Sequence, residues 1–299
     1  MLAIKNVTKK FGEKVALDNL SFNVPTGSVF GLIGSNGSGK STLLRIISGV
    51  YEADGGSVEI DGEPTFENVK LKGDCFFISD FPYFYNNSTV KNLAELYRSI
   101  YPNWSEEKFE QLCCIFPIGA NDKIINMSKG MQRQAALMLA LSTCPKYLLL
   151  DEIFDGLDPV VRQLIKKLLI EMVVENNSTV IIASHNLREL EDVCDHIGLI
   201  HCGGILLEKE LDEAKLGIHR VQVVFDEDIG EGRFTDFDVV KIQRQGKLYN
   251  LTIKGDRGEI EKKLSAMNPT YMEMLPLTLE EVFISEMEVA GYDIDNIIK

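Results

Sequence analysis

A compact apolar run at residues 28–33 leads straight into Gly34-Ser35-Asn36-Gly37-Ser38-Gly39-Lys40-Ser41-Thr42, and a helical pattern follows through Leu43, Leu44, Ile46 and Ile47. Strand, glycine-rich loop and helix form the setting in which G-x-x-x-x-G-K-[ST] acts as a phosphate cradle. The glycines let successive backbone N–H groups curl into an anion nest, and the helix N-terminus adds its positive dipole end. Lys40 supplies a point charge for the β- and γ-phosphates, and the Ser41 hydroxyl supplies a magnesium ligand. Ser35, Asn36, Gly37, Ser38, Gly39, Lys40, Ser41 and Thr42 are therefore the candidate nucleotide-binding residues.

Two more apolar runs end in chemistry. Residues 147–150 close on Asp151-Glu152, and residues 179–183 close on Ser184-His185. Continuous apolar runs suit strands buried on both faces of a parallel sheet. Successive strand side chains point to opposite faces, so Asp151 and Glu152 cannot face the same way. Asp151 is expected to hold magnesium through its water shell, and Glu152 to polarise the attacking water as general base. His185 leaves the same inferred sheet edge, where it is expected to contact the γ-phosphate and keep the water in line.

Around these runs, strands are expected at 1–7, 20–24, 56–60 and 75–78, and a helix at 159–174. Residues 88–145 carry helical rather than strand periodicity, so a helical insert interrupts the α/β core. Beyond Leu211 the pattern changes to alternation at 220–225, a hairpin at 239–254 around Gln245-Gly246, and helices at 258–267 and 278–288. The expected division is a first domain at 1–211 and a small α+β domain at 212–299. The net charge of −14 opposes broad contact with a nucleic-acid backbone. No stretch approaches the length of a membrane-spanning helix, and the first residues lack a signal-peptide core, so a cytosolic chain is expected. Cys194, His196, His201 and Cys202 include possible zinc ligands, but their surroundings suit ordinary packing better.

In this order, the motifs resemble those of the ATP-binding cassette (ABC) transporter ATPases over about residues 1–211. Asp151-Glu152 continuing to Asp158-Pro159 is similar to the family's Walker B strand and D-loop, and His185 to its switch histidine. Met127-Ser128-Lys129-Gly130-Met131-Gln132 resembles the signature, usually Leu-Ser-Gly-Gly-Gln, and Phe11 falls where the family stacks a ring on adenine. The resemblance implies a P-loop core with a mostly parallel sheet, antiparallel N-terminal strands and a helical subdomain at about 88–145, with ATP and Mg²⁺ as cofactors. It implies that Ser128 and Gly130 serve nucleotide bound by a second cassette, most simply in a homodimer, and that Asp158 also binds nucleotide. It further implies an integral membrane permease subunit that holds the chain at the cytoplasmic face.

This chain departs from the pattern at Lys129, Met131 and Ile153, and most at Asp80, where the Q-loop usually has glutamine. A carboxylate there can still help bind magnesium, so Asp80 joins Ser41 and Asp151 as a metal candidate. Phe81, Tyr83, Phe84 and Tyr85 fall where the family receives a helix of the membrane subunit, although local core packing accounts for aromatics equally well. The Ser-Lys-Gly-Met variant, residues 101–106 and Leu279-Glu280-Glu281-Val282-Phe283 resemble exporter ATPases of antibiotic, peptide and toxin type, including the phenol-soluble-modulin exporters. The readings set against a transport ATPase are an importer subunit, a soluble ABC protein of nucleic acid or the ribosome, and a nucleotide-gated regulatory or scaffold module with little turnover.

Overall fold

The computed structural model describes residues 1–215, 217–226, 230–275 and 277–283, which divide into two compact units, Met1–Glu208 and Lys209–Lys299. The first unit opens with an antiparallel pair, β1 (Leu2–Phe11) and β2 (Lys14–Val24), in register from Leu2 opposite Val24 to Phe11 opposite Lys14. Both strands outrun the expected segments. Register shifts after Ile4 and Val7 break the period-two alternation that marks a strand in sequence. β3 (Val29–Ile33) and helix α1 (Lys40–Ile47) flank the glycine-rich loop, and β4 (Gly55–Ile60) and the short β5 (Glu63–Pro64) complete a sheet ordered β2-β1-β4-β5.

A short helix α2 (Val69–Asp74) precedes β6 (Cys75–Ile78). Three helices then fill the segment expected to be helical: α3 (Val90–Ile100), α4 (Glu106–Ile115) and α5 (Lys129–Ser142). Each begins on a hydroxyl residue, Thr89, Ser105 or Ser128, whose side chain accepts from a backbone N–H one turn on. The chain returns through β7 (Tyr147–Asp151), α6 (Pro159–Asn176), β8 (Thr179–Ser184), the short α7 (Leu187–Glu191), β9 (His196–His201) and β10 (Gly204–Glu210).

The second sheet is ordered β10-β9-β3-β8-β7-β6, in which β9, β3, β8, β7 and β6 run parallel to one another. Every residue of β3, β7 and β8 is buried, as their unbroken apolar runs require. Ile33 pairs with Ser184 and Asp151 with Ala183, so the three strands finish level with one another. That alignment brings the phosphate-cradle loop, Asp151-Glu152 and His185 to one sheet edge. β9 lies in the run that sequence reading treated only as packing. Gly198 interrupts its apolar surface because the Phe30 ring lies where a Cβ would go.

In the second unit, helix α8 (Leu211–Lys215) precedes β11 (Ile218–Val224). The expected hairpin is β12 (Asp238–Gln245) and β13 (Leu248–Lys254), turning through Gly246 at φ 64°. Helix α9 (Arg257–Ser265) and β14 (Tyr271–Leu275) complete an α+β unit whose sheet runs β12-β13-β11-β14. Its core gathers Val221, Val223, Phe225, Phe234, Tyr249 and Leu251 beneath Ile260 and Leu264 of α9. The helix expected at 278–288 starts within the described residues. Thr278 and Glu281 exchange backbone N–H bonds in a reciprocal cap, whereas 284–288 lie outside the described residues.

Candidate nucleotide-hydrolysis site

The loop between β3 and α1 is shaped by its glycines. Gly37 and Gly39 adopt φ of 83° and 114°, and a Cβ on Gly34 would lie 2.4 Å from the Ile200 carbonyl. The loop opens on a cleft of about 260 Å³ lined by Asn36, Gly37, Gly39, Lys40, Ser41 and Thr42, together with Phe11, Lys14, Ala16, Asp80 and Glu152. The exposed Phe11 ring stands edge-on to Tyr51 at 5.6 Å, leaving an aromatic face at the mouth. Ser35 contributes its carbonyl, which accepts from the Ser38 N–H at 3.2 Å and closes the loop.

Lys40 is 5% exposed, and its ammonium donates to the carbonyls of Gly34 (2.8 Å) and Ser35 (3.2 Å). Burial pulls its pKa below the ordinary lysine range, against the opposing pull of Glu152 and Asp151. Glu152 Oε1 lies 3.7 Å from that ammonium.

The two carboxylates at the end of β7 diverge. Asp151 is 1% exposed; its Oδ1 accepts from the Ser41 hydroxyl at 3.0 Å, while buried Oδ2 has no hydrogen-bond partner among the described residues. An oxygen left unpaired beside a serine hydroxyl is the hard donor set that a hydrated Mg²⁺ takes. Glu152 leaves the strand in the left-handed region at φ 49°, held by its N–H on the Ala183 carbonyl at 2.9 Å. That turn sends its carboxylate to His185, with Oε2 2.9 Å from Nδ1. Asp155 also comes within 4.8 Å of the ligand atoms of both Glu152 and His185.

Burial raises the Asp151 pKa, with the Ser41 hydrogen bond opposing. A group whose folded pKa is raised contributes stability at low pH that is lost as pH rises through the folded value. The melting temperature of the nucleotide-free protein is therefore expected to fall over that interval, and Asp151→Asn to lack this component. Calorimetric melts that show identical pH dependence in both proteins would contradict the assignment.

Ser128, Gly130 and Asp158 are not part of this cleft lining. Ser128 caps α5 by accepting from the Met131 N–H at 3.2 Å, and Gly130 packs its first turn so closely that a Cβ would lie 3.2 Å from the Gly156 carbonyl. Asp158 caps α6, accepting from the N–H groups of Val160 and Val161 at 3.0 Å each. Asp80 reaches the cleft, but its Oδ1 is engaged by Arg133 at 2.6 Å. Cys194 packs against Gly31, and burial raises its thiol pKa. Sequence reading passed over Arg133 and Asp155, because a single arginine in a helix and a single acid in a turn carry no spacing signal.

A phosphate cradle, a buried metal-type carboxylate and a second carboxylate paired with histidine, all on one parallel-sheet edge, define a P-loop ATPase. The chain matches the family described as "ABC transporter" over residues 17–155, and "AAA domain, putative AbiEii toxin, Type IV TA system" over 123–191. It is 30% identical to the ABC transporter ATP-binding protein YtrB of Bacillus subtilis, over 96% of this chain and 98% of that protein. It is 34% identical to the lantibiotic transport ATP-binding protein SrtF of Streptococcus pyogenes, over 71% of this chain and 92% of that protein. The dimeric structure of MJ0796, a bacterial ABC transporter cassette, has a TM-score of 0.64 at 26% identity, covering 71% of this chain and 99% of that one. The same cassette in a post-hydrolysis state bound to ADP and Pi has a TM-score of 0.64 at 27% identity, with the same coverage. The chain belongs to the ABC transporter family as an ATP-binding subunit, an ATPase coupled to transport.

Proposed function

We propose that this chain powers an exporter of antibiotic- or peptide-like cargo, dimerising around two ATP molecules and driving a separate membrane subunit. The observation that carries the hydrolytic part is the pairing of Glu152 with His185 beside Lys40 and the Ser41–Asp151 pair. The loop N–H groups and Lys40 neutralise the phosphates. Ser41 and Asp151 would hold Mg²⁺, which would supply charge neutralisation of the phosphates. Glu152 accepts the proton of the attacking water, and His185, hydrogen-bonded to it, orients that carboxylate. Phe11 stacks on the adenine.

Ser128 caps α5 and Gly130 lies in its first turn, at the positive end of the helix dipole, and Asp158 caps α6. In the proposed dimer these termini face nucleotide held by the other copy, in keeping with the dimeric MJ0796 cassette. The export reading is supported by the relative that carries a lantibiotic transport name and by the Ser-Lys-Gly-Met signature.

No helix among the described residues is long and apolar enough to cross a membrane. Phe81, Tyr83 and Tyr85 are 73%, 82% and 66% exposed, and they form the proposed seat for the membrane subunit at the cytoplasmic face. Purification from detergent-solubilised membranes is expected to bring down an integral membrane protein in stoichiometric amount. Recovery of soluble or ribosomal companions alone would overturn the transport reading.

A further inference from the structure

Arg133 lies in the first half of α5, with only a tenth of its side chain exposed. A guanidinium at that depth needs both acceptors and a counter-charge, and two separate loops supply them. Its Nη2 donates to Asp80 Oδ1 at 2.6 Å and to the Asp80 carbonyl at 3.1 Å. Its Nη1 donates to the carbonyl of Asp155. Asp155 is three residues beyond Glu152, and its N–H closes the turn on the Glu152 carbonyl at 3.2 Å. One cation therefore joins α5, the loop after β6 and the loop that presents Glu152. The planar fork matters, because an ammonium cannot serve diverging acceptors in one fixed plane.

We propose that Arg133 is a positioning residue for hydrolysis, with Asp80 as its counter-ion. By holding the Asp155 carbonyl, the pair keeps the 152–158 loop in the form that sets Glu152 against His185. It also seats the first turn of α5, with Ser128 and Gly130, on the same loop, where Gly130 approaches Gly156. Asp80 thus acts on the reaction through a protein cation. This inference rests on the ATPase reading above.

The test compares Arg133→Gln, Arg133→Lys, Asp80→Asn and the double variant Asp80→Asn/Arg133→Gln with the unmodified protein in ATP hydrolysis. Misplacing a catalytic group by about 1 Å costs roughly 100-fold, so the expected loss in kcat for Arg133→Gln is roughly 10- to 100-fold. The KM for ATP and the Mg²⁺ requirement should stay within about threefold, since Arg133 does not line the cleft. Arg133→Lys should recover part of the rate, and the double variant should be no slower than Arg133→Gln, because both changes remove one interaction. Normal turnover in Arg133→Gln, or losses that multiply in the double variant, would overturn the proposal. So would a raised Mg²⁺ requirement in Asp80→Asn without a fall in kcat. If Arg133→Gln fails to fold, Asp80→Asn carries the same test, with a fall in kcat at unchanged Mg²⁺ requirement expected. Absence of ATP hydrolysis in the unmodified protein would instead sink the ATPase reading, so the two failures are distinguishable.

Discussion

Glu152→Gln is expected to lower ATP turnover by roughly 10²- to 10⁴-fold, the range a positioned general base contributes. The amide keeps the size of the carboxylate and its hydrogen bond to His185, now 2.9 Å, but it cannot accept the water's proton. ATP affinity should hold, because the phosphate-facing groups are those of the loop and Lys40. With binding intact and hydrolysis blocked, the variant should accumulate as an ATP-bound dimer. Phosphate release measures the first effect, and size-exclusion chromatography with and without ATP measures the second. Turnover near that of the unmodified protein would remove Glu152 from the base role. Monomers carrying ATP would count against the two-ATP sandwich.

Lys40→Ala should weaken ATP binding by roughly 2–5 kcal/mol, about 30- to several-thousand-fold, as expected when one partner of a desolvated charge pair is truncated. The reason lies in its surroundings. The ammonium is nearly buried, and burial already strains its charged form below the usual lysine range. Such a cation is held for an anionic ligand, and the nearby protein carboxylate, Glu152, is 3.7 Å away. Isothermal titration calorimetry gives the affinity, and a melt checks that the variant is folded. Unchanged affinity would show that the backbone nest carries the phosphates by itself.

Much of the site was legible because its chemistry is local. The cradle residues are contiguous, and strands buried on both faces announce themselves as apolar runs, so the sequence alone places Asp151, Glu152 and His185 at strand ends. The N-terminal pair was read too short, because its register shifts erase alternation. β9 escaped because Gly198, required by the Phe30 ring, breaks its apolar run. The family resemblance put Asp80 among the metal candidates, and it lines the cleft, but its pairing with Arg133 joins residues 53 positions apart with no spacing rule between them.

The amino-acid order alone determined which groups are available: a glycine loop that must curl, a lysine and serine opening a helix, and carboxylates closing apolar strands. Backbone sterics and side-chain periodicity act over a few residues, so they can be read along the chain. Tertiary structure decided where those groups point. The left-handed turn at Glu152 sends its carboxylate to His185 while Asp151 stays buried on Ser41, and a single buried guanidinium ties the Glu152 loop to α5. These choices follow from strand register and from desolvating charges together, and both depend on distant segments meeting in space.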